Sequence, residues 1–307
     1  GDDVQYEQSE GEEMHEGIAD DASMPDDCLQ LLFNLNPSDE VREQLKKFRL
    51  RRDKVRRSKN WEDDVNKMHK ALAEEGITNP IAEMYSPIRV SGMAKELGMI
   101  PGIALDLTVI DEDDGQPWDF SRIEKRRKAK ALVTAGSALL VIGSPMCAAF
   151  SQLQNLNFAR MGEKAKDEMI AKGMMHLEFC IELYRIQLEN GRYFLHEHPN
   201  AAKSWKTDVM QKLVNTPGVY RTRGDMCAFG MFQEGPEGKQ FVMKPTGFLT
   251  NGIKIAGALS EKCNGKHKHI HLISGRAKRA EVYPEELCFK IIQGLMAQMK
   301  FDGRISE

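Results

Sequence analysis

Two residues that could carry out covalent chemistry stand where short apolar runs end. Cys147 lies in the segment GSPMCAAFS (143–151), directly after the apolar run ALLVI (138–142). Glu197 lies in the segment YFLHEHP (193–199). Such runs predict buried parallel strands, and in open α/β sheets ligands and catalytic groups collect where these strands end. The pattern therefore predicts a thiol that attacks a carbon atom and a carboxylic acid that protonates a ring nitrogen.

The same two segments resemble motifs of the cytosine-5 DNA methyltransferases. The second segment is similar to that family's FLxENV motif, with Glu197 in the place of the glutamate. The order and the separation of the two motifs also agree. The first segment is similar to the family's GGPPCQGFS motif, and it matches at Gly143, Pro145, Cys147, Phe150 and Ser151.

The resemblance implies a role for both residues. Cys147 would be the nucleophile, as a thiolate, because C6 of cytosine is too weakly electrophilic for a neutral thiol. Glu197 would contact N3 and stabilise the charge that builds there, after which C5 accepts a methyl group. A base inside a duplex is out of reach, so it must be flipped out or presented in a single strand. The alternative is a buried structural cysteine in a Pro-x-Cys turn.

The resemblance also implies S-adenosylmethionine as the cofactor. The family's FSGxG segment has its counterpart in YSPIR (85–89), where Tyr85 and Ser86 suit the pattern. The glycines are absent, and Pro87 cannot supply the positive φ that a glycine would. Tyr85 and Ser86 are therefore expected at the cofactor, in a loop of altered geometry.

Three further residues are expected at the cofactor on the same resemblance. Asp106, which ends a predicted strand, is the candidate ligand of the ribose hydroxyls, and Asp119 in WDF is the candidate ligand of the adenine amine. Pro145, beside the cysteine, is expected to line the same site. Either acid could instead be a helix cap or a loop residue.

The carboxyl-terminal third departs from the family. The family has a QxRxR segment after its glutamate motif, and this chain has YRTR (220–223) without the glutamine. The resemblance implies substrate contacts for Arg221 and Arg223, and for Ser151 in the cysteine motif. The segments DMCAFG (225–230) and KPTGFLTN (244–251) instead resemble retroelement-derived polyproteins.

A second constellation offers metal ligands. Cysteine and histidine occur in CNGKHKH, with a further cysteine upstream, and together they could supply four ligands for a tetrahedral zinc ion. A basic loop that contacts phosphate is the other explanation of this lysine-rich segment. The four residues are Cys227, Cys263, His267 and His269.

Charge is strongly segregated along the 307 residues, although the net charge is only −3. Residues 1–27 contain eleven acidic and no basic residues, which predicts a disordered acidic tail. Residues 46–59 contain nine basic residues and one acid, and residues 125–130 are also basic. On helices these stretches could hold a nucleic-acid backbone, or they could form solvated surfaces.

These patterns predict an α/β fold with a mostly parallel, doubly wound sheet and helices on both faces, similar to class I methyltransferases and Rossmann folds. Residues 28–80 are expected to form a charged helical extension, and residues 81–307 the methyltransferase-like domain, atypical from about residue 225. Because the chain begins with Gly, it is expected to be a piece of a longer polypeptide.

The cysteines indicate a reducing compartment. There are six, with no Cys-x-x-Cys pair, which favours free thiols inside a cell, in the nucleus if eukaryotic DNA is the substrate. No 18-residue apolar stretch predicts a membrane span. The expected partner is nucleic acid, with DNA preferred to RNA. The alternatives are a catalytically inactive nucleic-acid-binding module of a mobile-element polyprotein and a metal-dependent nuclease or hydrolase that uses the Cys/His residues.

Overall fold

The computed structural model describes residues 38–151, 158, 161–235, 238–271 and 282–306. The predicted acidic tail and the first residues of the predicted extension lie outside this range. All described residues belong to one compact unit, residues 37–307.

Helices and strands are interspersed along the described chain. The α-helices are α1 (Asp39–Arg56), α2 (Lys59–Glu74), α3 (Val90–Glu96), α4 (Ile123–Ala135), α5 (Glu163–Glu189), α6 (Asp208–Val214), α7 (Ile253–Ala258) and α8 (Glu285–Phe301). The strands are β1 (Ile81–Met84), β2 (Ile103–Leu105), β3 (Ile110–Asp111), β4 (Gln116–Pro117), β5 (Leu140–Gly143), β6 (Tyr193–Pro199), β7 (Tyr220–Asp225), β8 (Phe232–Gly235), β9 (Gly238–Met243), β10 (Pro245–Thr250) and β11 (His269–His271).

Six strands form the central sheet in the order β2-β1-β5-β6-β10-β7. The four strands from β2 to β6 pair in parallel. Strand β10 is antiparallel to both of its neighbours, β6 and β7. The fold is therefore mixed α/β with a largely parallel central sheet, and one reversed strand stands between the last two forward strands.

Helices cover both faces of this sheet because successive side chains of a buried strand point to opposite sides. Ile142 and Leu195 pack in the core cluster that contains side chains of α1, α2, α3, α7 and α8. Val141 and Phe194, their neighbours in sequence, pack in the cluster that contains side chains of α4, α5 and α6. The two clusters are the two sides of one doubly wound sheet.

Helices α1 and α2 belong to this core. Their apolar stripe includes Phe48, Trp61, Met68 and Leu72, all buried in the first cluster. The indole Nε1 of Trp61 also donates a hydrogen bond of 2.9 Å to the carbonyl oxygen of Leu97. The predicted extension is helical within the described residues, and its helices pack with the domain that follows.

The carboxyl-terminal third adds a small second sheet. It has the order β11-β9-β8, with β11 parallel and β8 antiparallel to β9. Strands β3 and β4 form a separate two-stranded hairpin. No helix in the part of the chain that the structure describes is both long enough and apolar enough to cross a membrane.

Candidate active site at the carboxyl edge of the sheet

The two motif segments end at neighbouring points of the sheet edge. Gly143, the last residue of β5, pairs with His196 of β6. A side chain at position 143 would collide with the hydroxyl group of Tyr184, which is 2.9 Å from Nδ1 of His196. The glycine of the cysteine motif therefore permits the close approach of α5 to both strands.

The loop that carries Cys147 is held from both sides. The backbone N–H of Ser144 donates to the carbonyl oxygen of Met84 at 3.3 Å, which joins the loop to the end of β1. On the other side, Nε2 of His198 lies 3.1 Å from the carbonyl oxygen of Pro145. Burial lowers the pKa of His198 to about 4, so the neutral ring donates from Nε2. Cys147 thus belongs to a loop that is tied to the β6 end.

Glu197 lies beside this loop with an incompletely satisfied carboxylate. It is only 6% exposed, and its Oε1 is 3.6 Å from the Nζ of Lys244. Among the described residues, Oε1 accepts no hydrogen bond. Tyr283 is nearby: burial and then the charge of Glu197 raise its pKa, and its hydroxyl group bonds that of Ser144. A buried acceptor with no donor is the kind of group that a ligand satisfies.

The exposure of Cys147 sets it apart from the buried thiols. Its side chain is half-buried, whereas Cys180 and Cys288 are buried. Burial raises the pKa of Cys180 to about 12 and that of Cys288 well above its ordinary value. Since thiolate formation decides reactivity, these two thiols are structural, and Cys147 is the one of the three that is partly exposed to solvent.

The expected cofactor loop is built around a residue with a left-handed backbone. Tyr85 has a φ of 62°, a conformation that is uncommon for a residue other than glycine. Its hydroxyl group is 2.9 Å from Nδ1 of His176, and its ring packs edge-on against Phe120 at 4.8 Å between centroids. These contacts hold Tyr85 in the left-handed conformation that a glycine would adopt without strain.

Glu83 occupies the start of the helix that follows this loop. Its carboxylate accepts hydrogen bonds from the backbone N–H groups of Arg89, Val90 and Ser91 at 2.8 to 3.3 Å. The residue is fully buried, and burial raises its pKa. The N–H groups at the start of α3 are therefore already satisfied by the protein itself.

The other predicted cofactor residues lie around the same edge. Tyr85 N donates to the carbonyl oxygen of Leu105 at 3.0 Å, which places its loop beside Asp106. Oδ1 of Asp106 accepts both hydrogen bonds from Thr108, at 2.9 and 2.8 Å. The hydroxyl group of Ser86 is buried and donates to the carbonyl oxygen of Pro87.

Asp119 is linked to this group through His176. Hydrogen bonds from Ser121 lower the pKa of Asp119, and the nearby charge of Lys172 acts in the same direction. Burial, followed by Lys172 and Arg126, lowers the pKa of His176 to about 4. The structure thus brings the expected cofactor residues to the ends of β1 and β2, with an ionised Asp119 beside a neutral imidazole.

The predicted substrate residues are more dispersed. Arg221 stacks over the ring of Trp205 at 4.3 Å and donates to the carbonyl oxygen of Asn200, in the loop after β6. Arg223 forms an ion pair with Asp225 at 2.9 Å. Ser151 is half-buried just after the short helical turn that follows Cys147. Arg221 is the arginine nearer to the β6 end.

Four further residues that the structure places at this edge were not predicted from the sequence: Glu83, His176, Lys244 and Tyr283. Glu83 and Lys244 are single charged residues in or beside buried strands, which is a detectable signal of a buried partner. His176 and Tyr283 carry no comparable signal, because a histidine on a long helix and a tyrosine before a helix are ordinary surface or core residues.

The predicted metal ligands converge in a separate place, which we call the Cys/His cluster. One ligand atom from each residue lies within 4.8 Å of every other. The members are Cys227, Cys263, His267 and His269. Nε2 of His269 is 3.3 Å from the sulfur of Cys227 and 3.4 Å from that of Cys263.

The basic stretch 125–130 is largely engaged within the protein. Lys125 is buried and lies 2.6 Å from Asp111 and 2.7 Å from Asp114. Lys128 pairs with Asp111, and Lys130 with Glu182. This stretch therefore offers fewer cations to a nucleic acid than its sequence indicates.

Comparisons with known proteins give no family assignment. No family model matches the chain, and no curated protein matches it.

Proposed function

We propose that this chain is a cytosine-5 methyltransferase-like protein that acts on nucleic acid with S-adenosylmethionine. Cys147 is the nucleophile of the proposal and Glu197 the group that contacts N3. The order of the sheet supports it, because a reversed strand between the last two forward strands is the arrangement of class I methyltransferases. The proposal also implies an intracellular protein, nuclear if eukaryotic DNA is the substrate.

The observation that carries the proposal is the environment of Glu197. Its buried Oε1 lacks a hydrogen-bond donor in the described chain, and it stands beside the loop of an accessible thiol. A cytosine between the two groups would place C6 at the thiol and N3 at the carboxyl group. The 4-amino group beside N3 would then donate to the unpaired Oε1 of the buried acid.

In the proposed reaction, Cys147 and Glu197 each have one role. The Cys147 sulfur forms a bond to C6, and the electron pair of the C5–C6 double bond is displaced into the ring toward N3. Glu197, which takes up a proton when the base binds, donates a hydrogen bond to N3 that stabilises this charge, and Lys244 at 3.6 Å holds the carboxyl group in place. Once C5 carries the methyl group, loss of the C5 proton to a water molecule and departure of the sulfur from C6 restore the double bond.

Residues around β1 and β2 fit the nucleoside part of the cofactor. When bound, S-adenosylmethionine supplies a methyl group for C5. Both hydrogen bonds from Thr108 go to Oδ1 of Asp106, which leaves Oδ2 for a ribose hydroxyl within the described structure. The ionised Asp119 suits the adenine amine. The start of α3 is capped by Glu83, so an anionic end of a ligand needs donors other than residues 89–91.

Helix α1 supports nucleic acid as the partner. Its basic residues Lys46 and Lys54 are exposed, as are Arg57 and Lys59 after its end. Arg51 pairs with Glu286, at the start of α8 and only a few residues from Tyr283. The basic helix is therefore attached to the same segment that reaches the Cys147 loop.

The second candidate is a catalytically inactive nucleic-acid-binding module that keeps this fold. The altered cofactor loop favours it, since Pro87 and the left-handed Tyr85 replace the glycine turn. A nuclease that uses the Cys/His cluster has less support. Four protein ligands would leave no open position on a metal for a reacting water molecule.

Trapping on an oligonucleotide that contains 5-fluorocytosine tests the proposal. Fluorine at C5 blocks the final elimination, so a methylated enzyme–oligonucleotide adduct accumulates only when the cofactor is present. We expect an adduct with the wild-type chain and with Cys288→Ala, a thiol control, and none with Cys147→Ser. Oligonucleotide binding without any adduct would replace the proposal with the inactive module.

A further inference from the structure

We infer that the Cys/His cluster is a structural zinc site. Its members come from three parts of the chain: Cys227 from the short helical turn after β7, Cys263 and His267 from the loop after α7, and His269 from β11. Two thiolates and two imidazoles are a ligand set that selects zinc. Four protein ligands make a closed site, which stabilises a fold and does not activate water.

Three of the sulfur–nitrogen distances within the cluster are close to those of a tetrahedral site. With Zn–S of about 2.3 Å and Zn–N of about 2.0 Å, a sulfur and a nitrogen at a tetrahedral angle are about 3.5 Å apart. The corresponding distances are 3.3 Å from Cys227 to His269, 3.4 Å from Cys263 to His269 and 3.6 Å from Cys263 to His267. The spacing therefore suits a shared ion.

The surroundings of Cys263 are shaped for a thiolate. A tight turn with a φ of 68° at Gly265 directs its backbone N–H to the Cys263 sulfur at 3.3 Å. A residue other than glycine would be strained there. The Cys263 N–H in turn donates to Oδ2 of Asp225 at 3.0 Å, and Arg223 binds the other oxygen of that carboxylate. Such outer contacts orient metal ligands.

The other ligands are also held from outside the cluster. The ring of His267 packs against Phe241 with centroids 4.3 Å apart. Gln44 on α1 donates from Nε2 to the carbonyl oxygen of Cys227 at 3.2 Å. Ligands whose rotamers and backbone are fixed in this way lose little entropy when a metal binds.

A metal would add to a local core that is small on the side of the ligands. Among the described residues, the hydrophobic cluster there has Val41, Cys227 and Phe241 as its buried members. The small sheet β11-β9-β8 packs on this cluster with Phe241, whereas its Val242 and Ile270 belong to the large first cluster. A zinc ion would compensate for the missing apolar contacts, as it does in other small modules.

The site also bears on the proposed active site through one hydrogen bond. Met226, next to Cys227, donates its N–H to the carbonyl oxygen of Lys244 at 3.1 Å. Lys244 in turn pairs with Glu197. The zinc ion would therefore fix the backbone of the lysine that holds the acid, although metal binding does not depend on the proposed methyl transfer.

Metal analysis of the intact chain tests the inference. We expect about one zinc ion per chain after purification in zinc-supplemented medium. Cobalt(II) in place of zinc should give the visible bands of a tetrahedral ion and thiolate charge-transfer bands in the near ultraviolet. The substitutions Cys263→Ser and His267→Gln should each remove one zinc ligand and lower the zinc content at least tenfold.

A thiol control separates specific from adventitious binding. Cys147→Ser removes a half-buried thiol outside the cluster and should keep the full zinc content. Because the cobalt spectrum is recorded on the wild-type chain, misfolding of a variant does not obscure the result. Substoichiometric zinc with no tetrahedral cobalt spectrum would overturn the inference, as would a disulfide between Cys227 and Cys263 in the freshly purified, unreduced protein.

Discussion

Glu197 on β6, which is buried, and Lys244 between β9 and β10, which is half-buried, form an ion pair with 3.6 Å between Oε1 and Nζ. The pair joins the central sheet to the small sheet, because Lys244 is the residue at which the chain passes from one to the other. It also fixes the position of the carboxyl group that the proposed chemistry requires.

Removal of the lysine should destabilise the protein through the charge left behind. We expect Lys244→Met to lower the free energy of unfolding by about 3 kcal/mol, because it leaves a buried carboxylate without its cation. Urea denaturation at neutral pH measures the change. The double variant Lys244→Met, Glu197→Gln should recover part of the lost stability. If the stability losses of the two single variants instead add up in the double variant, the two side chains do not interact.

Neutral replacement of the acid should affect the reaction more than the fold. Glu197→Gln keeps the size of the side chain but weakens stabilisation at N3, so we expect the rate of adduct formation to fall about 100-fold. Single-turnover trapping on the 5-fluorocytosine oligonucleotide measures this rate. Thr222→Ser, on the outer strand β7, is the control and should react at the wild-type rate. Equal rates for Glu197→Gln and wild type would remove Glu197 from the reaction.

Cofactor binding should depend on Asp106. A hydrogen bond to a charged group contributes about 1.5–3 kcal/mol, so Asp106→Ala should weaken S-adenosylmethionine binding by about 10-fold or more. Isothermal titration calorimetry compares it with Asp167→Ala, which changes an exposed acid on α5. If both variants bind as the wild type does, the cofactor is held elsewhere.

The stability of the fold should decrease in mild acid because of His198. Burial lowers its pKa to about 4, below the value of about 6.5 in the unfolded chain, so the unfolded state binds the proton first. Stability is therefore complete above pH 6.5 and falls by up to about 3 kcal/mol as the pH drops toward 4. His176, with a pKa also lowered to about 4, acts in the same direction.

Denaturant titrations across this range test the assignment. The substitution His198→Gln should reduce the pH dependence between 6.5 and 4, while His176→Gln reduces it independently. If the free energy of unfolding depends on pH in both variants as it does in the wild-type chain, other groups govern the acid sensitivity.

Nucleic-acid binding should be electrostatic and should depend on α1. Each phosphate contact contributes a slope of about −0.9 to the plot of log K against log salt for duplex DNA. Reversing two exposed charges, Lys54→Glu and Arg57→Glu, should weaken binding and flatten that slope. Fluorescence anisotropy at several salt concentrations measures both. Lys70→Glu on α2 is the matched control, and an equal loss in the control would argue against α1 as the binding surface.

Two strands of the sheet could be predicted from the sequence, because fully buried strands have strong local signatures. The runs before Cys147 and around Phe194 are β5 and β6 of the central sheet. The reversed insertion of β10 could not be predicted in this way. It depends on pairing between residues far apart in the chain, which local periodicity does not encode.

The candidate site was predictable only where motifs are short and contiguous. The resemblance located Cys147 and Glu197, and the register of β5 and β6 brings their loops together. The contributions of Lys244 and Tyr283 come from segments that approach the edge from the other end of the chain. The cap formed by Glu83 was missed because a carboxylate inside an apolar strand has no fixed role in sequence.

The insertion of β10 delays completion of the sheet during synthesis. Until residue 250 leaves the ribosome, β6 has a partner on one side only, and its other edge presents the backbone groups of residues 195–199 unpaired. Shortened chains that stop before this strand would expose that edge to other molecules and aggregate. The KPTGFLTN segment (244–251), which contains β10, is therefore the part of the chain that completes the central sheet late in synthesis.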